Sequence, residues 1–206
     1  MSGDTELIMT AFQKLVVFWR ASQWQTAGEA GLNPTQGEVL QHISRRSARL
    51  GELAEQLGVS QASLSDTVSS LEARGLARRR PDPDDGRARR IESTADGQRA
   101  VAELSMAPVE LERAIEHLGE EERGAFARAL VRIIRMLQEA DAIPVQRMCV
   151  TCRHFRPFAH ADVARPHHCA FVDAAFGDAR LRLDCDDHEA APAKEAAATW
   201  RRFEMA

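Results

Sequence analysis

The chain contains no tyrosine, aromatic residues make up 5% of its 206 positions, and no cysteine precedes Cys149. No run approaches the roughly 18 apolar residues of a membrane span, which excludes a helical membrane protein. The N-terminus lacks the basic opening of a secretory leader. It carries Asp4 and Glu6 among helically spaced apolar residues, so it reads as folded protein and places the chain in the cytoplasm. Also lacking are a glycine-rich phosphate loop, a nucleophile elbow and a His-Glu-x-x-His pair, so no enzyme is expected. What remains is 44% hydrophobic and 28% charged, a globular, helix-rich balance of one to one and a half ordinary domains.

The net charge of -4 conceals a partition. Residues 45–91 carry ten basic against seven acidic side chains, whereas 92–143 carry six against eleven. Arg74, Arg78, Arg79, Arg80, Arg87, Arg89 and Arg90 crowd one short stretch, the footprint of a phosphate-contacting surface on an otherwise acidic chain. A solvated charged loop is the plainer reading of the same residues.

Apolar spacing predicts a first helix over 6–26, with Ile8, Phe12, Leu15, Val16 and Trp19 on one face. Asn33 and Pro34, with a Thr35-x-x-Glu38 box, open a second. Leu50 to Gln56 forms a third, closed by Gly58. Ser60 caps a fourth, which turns Leu64, Val68 and Leu71 inward and Gln61, Ser65, Asp66, Ser69 and Arg74 outward, until Gly75 stops it. Two short helices around a Gly-Val-Ser turn make a helix-turn-helix candidate. Leu76–Arg80 and Arg87–Ile91 read as two strands around the turn residues 81–86, a wing. A helical face then runs from Asp96 to His117, kinked at Pro108. Glu120–Glu122 open a last long helix, whose stripe of Phe126, Leu130, Ile133, Ile134 and Leu137 ends near Ala140.

The run from Leu50 to Gly97 resembles the MarR family of winged-helix transcription regulators. The stretches that carry the likeness are Leu53–Ser60, Leu71–Leu76, Asp84–Arg89 and Ser93–Gly97. The resemblance implies a mostly α fold with a small β wing, flanked by N- and C-terminal dimerisation helices. It implies a homodimeric regulator, expected to be a repressor, bound to a pseudo-palindromic operator in double-stranded DNA. Under it, Gln61, Ser63 and Ser65 lie closest to base edges, and Ser69, Ser70 and Arg74 closer to phosphates. Arg87 is the wing-tip candidate for a minor groove, with Arg78, Arg80 and Arg89 adding charge, while Asp85 holds the loop. Two departures stand out. Asp66, Ser69 and Ser70 occupy a helix where members often carry Arg or Lys, so affinity should shift to the wing arginines; Ser93 replaces a usual apolar residue.

Residues 144–206 form an addition to the winged domain of 1–143: a small Cys/His-rich extension and an alanine-rich tail that is either a short helix or disordered. Cys149-x2-Cys152-x16-Cys169-x15-Cys185 concentrates every thiol of the chain there. In a cytosolic chain such clustering points to metal or redox chemistry before structural disulfides. Four thiolates suit either Zn2+, with His188 as an alternative ligand, or an iron-sulfur cluster. A Cys149/Cys152 thiol-disulfide pair and four unligated cysteines are the remaining readings. The expected function is a regulator whose operator binding is modulated by that site; the alternative is a regulator responding to an aromatic acid, with a purely structural zinc. Trp19 and Trp24 are candidates to line such an effector cleft, although packing explains them as well.

Overall fold

The computed structural model describes residues 3–104 and 108–205. They form two compact units, 1–113 and 114–206. In the first, α1 (Gly3–Glu29) leads into α2 (Pro34–Arg45), β1 (Ala48–Arg49), α3 (Leu50–Leu57) and α4 (Gln61–Ala73). Then come β2 (Ala77–Pro81), β3 (Arg89–Ser93) and α5 (Ala95–Glu103); α6 (Val109–Glu116) straddles the division. The second holds α7 (Glu120–Glu139), β4 (Phe155–Arg156), β5 (His167–Cys169), β6 (Ala174–Phe176) and α8 (Ala193–Glu204), with 3-10 turns at Cys149–Thr151 and Asp178–Arg180.

Local chemistry sets most boundaries of the first unit. Gly58 takes the left-handed conformation (φ 64°) that ends α3, and Gly75 does the same (φ 70°) after α4. Ser60 caps α4 by accepting from the Ser63 amide at 3.2 Å. The cap of α2 departs from the expected Thr35–Glu38 box. Asn33 accepts from the Gln36 amide at 2.8 Å and Gln36 accepts from the Asn33 amide at 3.0 Å, because Pro34 sits at the first helical position and makes Asn33 the cap.

The wing is a three-stranded antiparallel sheet in the order β1-β3-β2. Ala48 pairs with Ile91 through β1, a two-residue strand too short to show in the sequence pattern. Beneath it, Val39, Leu40, Leu53, Leu64, Val68, Leu71 and Ile91 are essentially inaccessible and form one core. The single kinked helix expected over Asp96–His117 is two helices. α5 stops where Leu104 turns extended, and α6 begins at Val109; Ser105, Met106 and Ala107 of that expected span lie outside the described residues.

In the second unit, α7 shares its body with the Cys/His segment rather than standing as a bare terminal helix. Val131 of α7 packs in a core with Met148, Val150, Cys152, Phe155 and Phe203. β4, β5 and β6 form an antiparallel sheet, with Phe155 opposite Cys169 and His167 opposite Phe176. The tail is α8, whose Phe203 is wholly buried.

Candidate nucleic-acid interface and four-cysteine cavity

In the first unit the helix-turn-helix is α3 and α4. Leu64, Val68 and Leu71 anchor α4 to the core, which leaves Gln61, Ser63 and Ser69 exposed and Ser65 and Ser70 half-buried. Three of the expected contact residues are engaged within the fold. Ser70 Oγ accepts from Gln36 Nε2 at 2.9 Å, and Ser69 Oγ donates to the Ser65 carbonyl at 2.8 Å. Arg74 donates to the carbonyls of Gly31 at 2.8 Å and Ala30 at 3.4 Å, just beyond the end of α1. Gln61 and Ser63 are exposed at the start of the helix. Asp66 is exposed and forms no ion pair with Arg74 among the described residues.

The wing arginines divide into two groups. Arg78 and Arg80 both pair with Glu92, Arg80 at 2.7 Å, and Arg79 pairs with Glu72. Arg87 and Arg89 are exposed, and among the described residues neither has an ion-pair partner. Asp85 shapes the loop: its Oδ1 accepts from the Arg87 amide at 3.1 Å and its carbonyl from the Ala88 amide at 2.8 Å.

Asp82 is one residue that sequence reasoning missed. Its carboxylate is buried under the wing and accepts from Arg49 Nε at 2.7 Å, Arg90 at 3.3 Å and the Asp84 amide at 2.9 Å. The hydrogen bond from Arg49, then that from the Asp84 amide, holds the carboxyl far below the usual carboxylate range. Arg90 further donates to the Ser47 carbonyl at 2.5 Å. The only signal in the sequence was an aspartate flanked by two prolines, which reads equally well as ordinary turn chemistry.

In the second unit all four cysteines are free thiols and all four line one cavity of about 570 Å³. Cys149 opens a 3-10 turn and Cys152 closes it, bridging to Ala190; Cys169 ends β5 and Cys185 lies in the loop before α8. Phe155, Phe171, Val172 and Phe176 give the cavity an apolar wall. Burial pushes the Cys149 thiol up to about 11, opposed by the Arg182 amide and reinforced by the other three thiols. Among the described residues no three His, Cys, Asp or Glu side chains form a group set to hold a metal ion.

His188 does not line the cavity. Its Nε2 is 2.9 Å from Thr151 Oγ1, whose hydroxyl donates to the Met148 carbonyl at 3.0 Å. Burial, with Arg147 nearby, lowers its pKa. His167 is also internal: wholly buried, it accepts the Phe158 amide at Nδ1 and stands 2.9 Å from Asp178 through Nε2. Arg182 was not singled out by the sequence, although it lies three residues before Cys185. It donates its amide to Cys149 Sγ at 3.3 Å and its guanidinium reaches Cys185 Sγ at 3.8 Å.

Residues 30–88 match the family model described as the MarR family. This segment is similar to that family and has a winged-helix fold. Solved structures agree on the fold. The S. aureus MepR-DNA complex is 20% identical, with 63% of this chain and 97% of that chain aligned at a TM-score of 0.54. The transcriptional regulator BldR from Sulfolobus solfataricus is 22% identical over 66% of this chain and 99% of its own, also at 0.54. SlyA, a transcriptional regulator, is 19% identical over 68% and 96%, at 0.52. No curated protein matches the chain. In this winged helix, α4 occupies the second-helix position of the motif and β2-β3 the wing. No helix among the described residues is long and apolar enough to cross a membrane.

Proposed function

We propose that the chain is a homodimeric transcription regulator that binds double-stranded DNA through α4 and the β2-β3 wing. One observation carries the reading. A MarR-type winged helix presents the small, polar start of α4 beside a wing whose Arg87 and Arg89 have no internal counter-charge among the described residues. Small side chains at the helix start let the backbone approach base edges, and unpaired guanidinium groups suit a narrow, negative minor groove. The S. aureus MepR relative was solved with DNA, which supports the same use of the fold here.

A second copy of the chain is the partner that the terminal helices fit. α1 exposes Leu7, Val17 and Trp24 at 70%, 69% and 62%, and α7 exposes Met136 at 61%. Apolar surface of that extent on two long helices is stabilised by burial against another chain. A dimer presents two α4 helices to two half-sites one helical turn apart.

The cysteine cavity is the proposed source of regulation. Glu120 at the start of α7 and Arg180 of the second 3-10 turn both line it, and Arg128 of α7 reaches Asp178 of that turn at 3.7 Å. Occupancy of the cavity therefore bears on the packing of α7, one of the two proposed dimer helices. The test is selection of bound sequences from a random duplex pool by the full chain, with anisotropy titrations of the recovered site at several salt concentrations. A palindromic site, a dimer in sedimentation and a steep salt slope support the proposal. A monomer with no sequence enrichment overturns it.

A further inference from the structure

The four cysteines are more than a cluster in the sequence. They come from four separate backbone positions, and the fold brings them to one cavity whose remaining wall is largely apolar. Their loops are held by backbone hydrogen bonds that need no metal. Cys149 donates to the Arg182 carbonyl at 3.0 Å, Cys185 to the Arg147 carbonyl at 3.1 Å and Cys152 to the Cys149 carbonyl at 2.9 Å. A thiol that serves only as a small apolar side chain needs no such convergence.

Size decides between the occupants. A tetrahedral zinc at a Zn–S distance of about 2.3 Å draws its four sulfurs to roughly 3.8 Å from one another. All four thiols face one cavity of about 570 Å³, far more room than a single ion needs. A cluster spreads its thiolates over several irons and so accepts a wider ring of sulfurs. The donors around the sulfurs fit an anionic centre: the Arg182 amide points at Cys149 Sγ, and the Arg182 guanidinium lies beside Cys185 Sγ. Hydrogen bonds and positive charge at ligand sulfurs are what stabilise and tune such clusters. His188 is held by Thr151, so it braces the Cys149–Cys152 turn and is not a ligand.

We propose that Cys149, Cys152, Cys169 and Cys185 hold an iron-sulfur cluster, with Arg182 as the residue that offsets its charge. On assembly four S–H bonds break and four Fe–S bonds form, and the four protons leave to solvent. The cluster core, made of iron and sulfide, enters preformed and exchanges its previous ligands for the four thiolates, so ligation moves no electrons. The apolar side chains of Phe155 and Phe176 shield part of the cluster from water and slow its hydrolysis. This inference stands apart from DNA binding, and each can fail without the other.

The experiment is anaerobic purification of the full chain, reconstitution with ferric and ferrous iron and sulfide, and measurement of iron, zinc, acid-labile sulfide and the visible spectrum. The expected result is iron and sulfide in comparable amounts with broad visible absorbance. Cys169→Ser and Cys185→Ser, which alter half-exposed positions, should each lower retained iron at least tenfold, with an unchanged far-ultraviolet circular dichroism spectrum. His188→Ala should keep the full iron and sulfide content. One zinc per chain without sulfide overturns the proposal, as does a Cys149–Cys152 disulfide that forms in place of metal uptake. Wild-type iron content in the double Cys169→Ser/Cys185→Ser variant overturns it too. Because the wild-type chain alone separates cluster from zinc, a variant that fails to fold does not leave the question open.

Discussion

Asp82 accepts a hydrogen bond from Arg49 Nε at 2.7 Å, and through it the turn after β2 is tied to the residue that opens α3. The same carboxylate takes Arg90 of β3 at 3.3 Å, so one buried charge joins the helix-turn-helix, the wing strands and the wing loop. The seating of the wing on the helix-turn-helix thus depends on a side chain that lies outside α4.

Asp82 gives the first prediction, a pH dependence. The Arg49 hydrogen bond holds its carboxyl well below the ordinary value of 3.8, so the folded state keeps the charge to lower pH than the unfolded chain does. A depressed carboxyl adds stability that is complete above about pH 4 and is lost as pH falls below that value. Asp82→Asn should lower the urea midpoint at pH 7, and the gap to the wild type should narrow below about pH 4. A gap that stays constant from pH 7 to pH 3 would show that the charge is not what matters.

The wing arginines separate by their partners. Arg78 and Arg80 share Glu92, whereas Arg87 has no ion-pair partner among the described residues. Arg87→Ala should weaken binding to all duplexes alike and reduce the log-log salt slope by about 0.9. Arg78→Ala should do less, because Glu92 is left to Arg80. Equal loss from both substitutions would remove this distinction.

Gln61 is predicted to act differently from the wing. It is exposed at the first position of α4, and its amide lies over Gly51, 3.3 Å from where a β-carbon would stand. Gln61→Ala should relax base preference at one position of each half-site, a discrimination of about 1–3 kcal/mol, and leave the salt slope unchanged. Sequence selection with the variant checks this, and a uniform loss across all sites would place Gln61 on phosphate.

Where these residues sit explains how much the sequence could say. Apolar residues at helical spacing marked α1, α3, α4 and α7, and Gly58, Ser60 and Gly75 marked the ends of α3 and α4. β1 has two residues, too few for alternation to register, and Asp82 is buried only because Arg49 and Arg90 arrive from other elements. The cysteines were legible as a group through their concentration after residue 148. Their meeting in one cavity was not, because the β4-β5-β6 sheet that carries Cys169 is built of strands of two and three residues. The engagement of Arg74 was equally invisible: nothing in the sequence places the carbonyls of Ala30 and Gly31 beside its guanidinium.

Gly97 is the position where a single methyl group should do the most damage to the winged unit. A β-carbon there would stand 2.1 Å from the Leu76 carbonyl oxygen and 2.5 Å from Ser93 Oγ. The first contact is with backbone, held in place because Leu76 accepts the Thr94 amide at 3.0 Å and Thr94 caps α5 by accepting from the Gly97 amide at 3.0 Å. The same crowding accounts for Ser93, a small buried side chain where an apolar one was expected. Gly97→Ala normally favours a helix by up to about 1 kcal/mol, but here the clash must be relieved by moving α5 away from the β2 entry. The expected net effect is destabilisation by about 1–3 kcal/mol, the range for overpacking, with the loss confined to the 1–113 unit. Hydrogen exchange resolved by residue would check it: faster exchange at the Thr94 and Leu76 amides with unchanged protection in α7 is the expected pattern, and a stabilised α5 would refute the close approach.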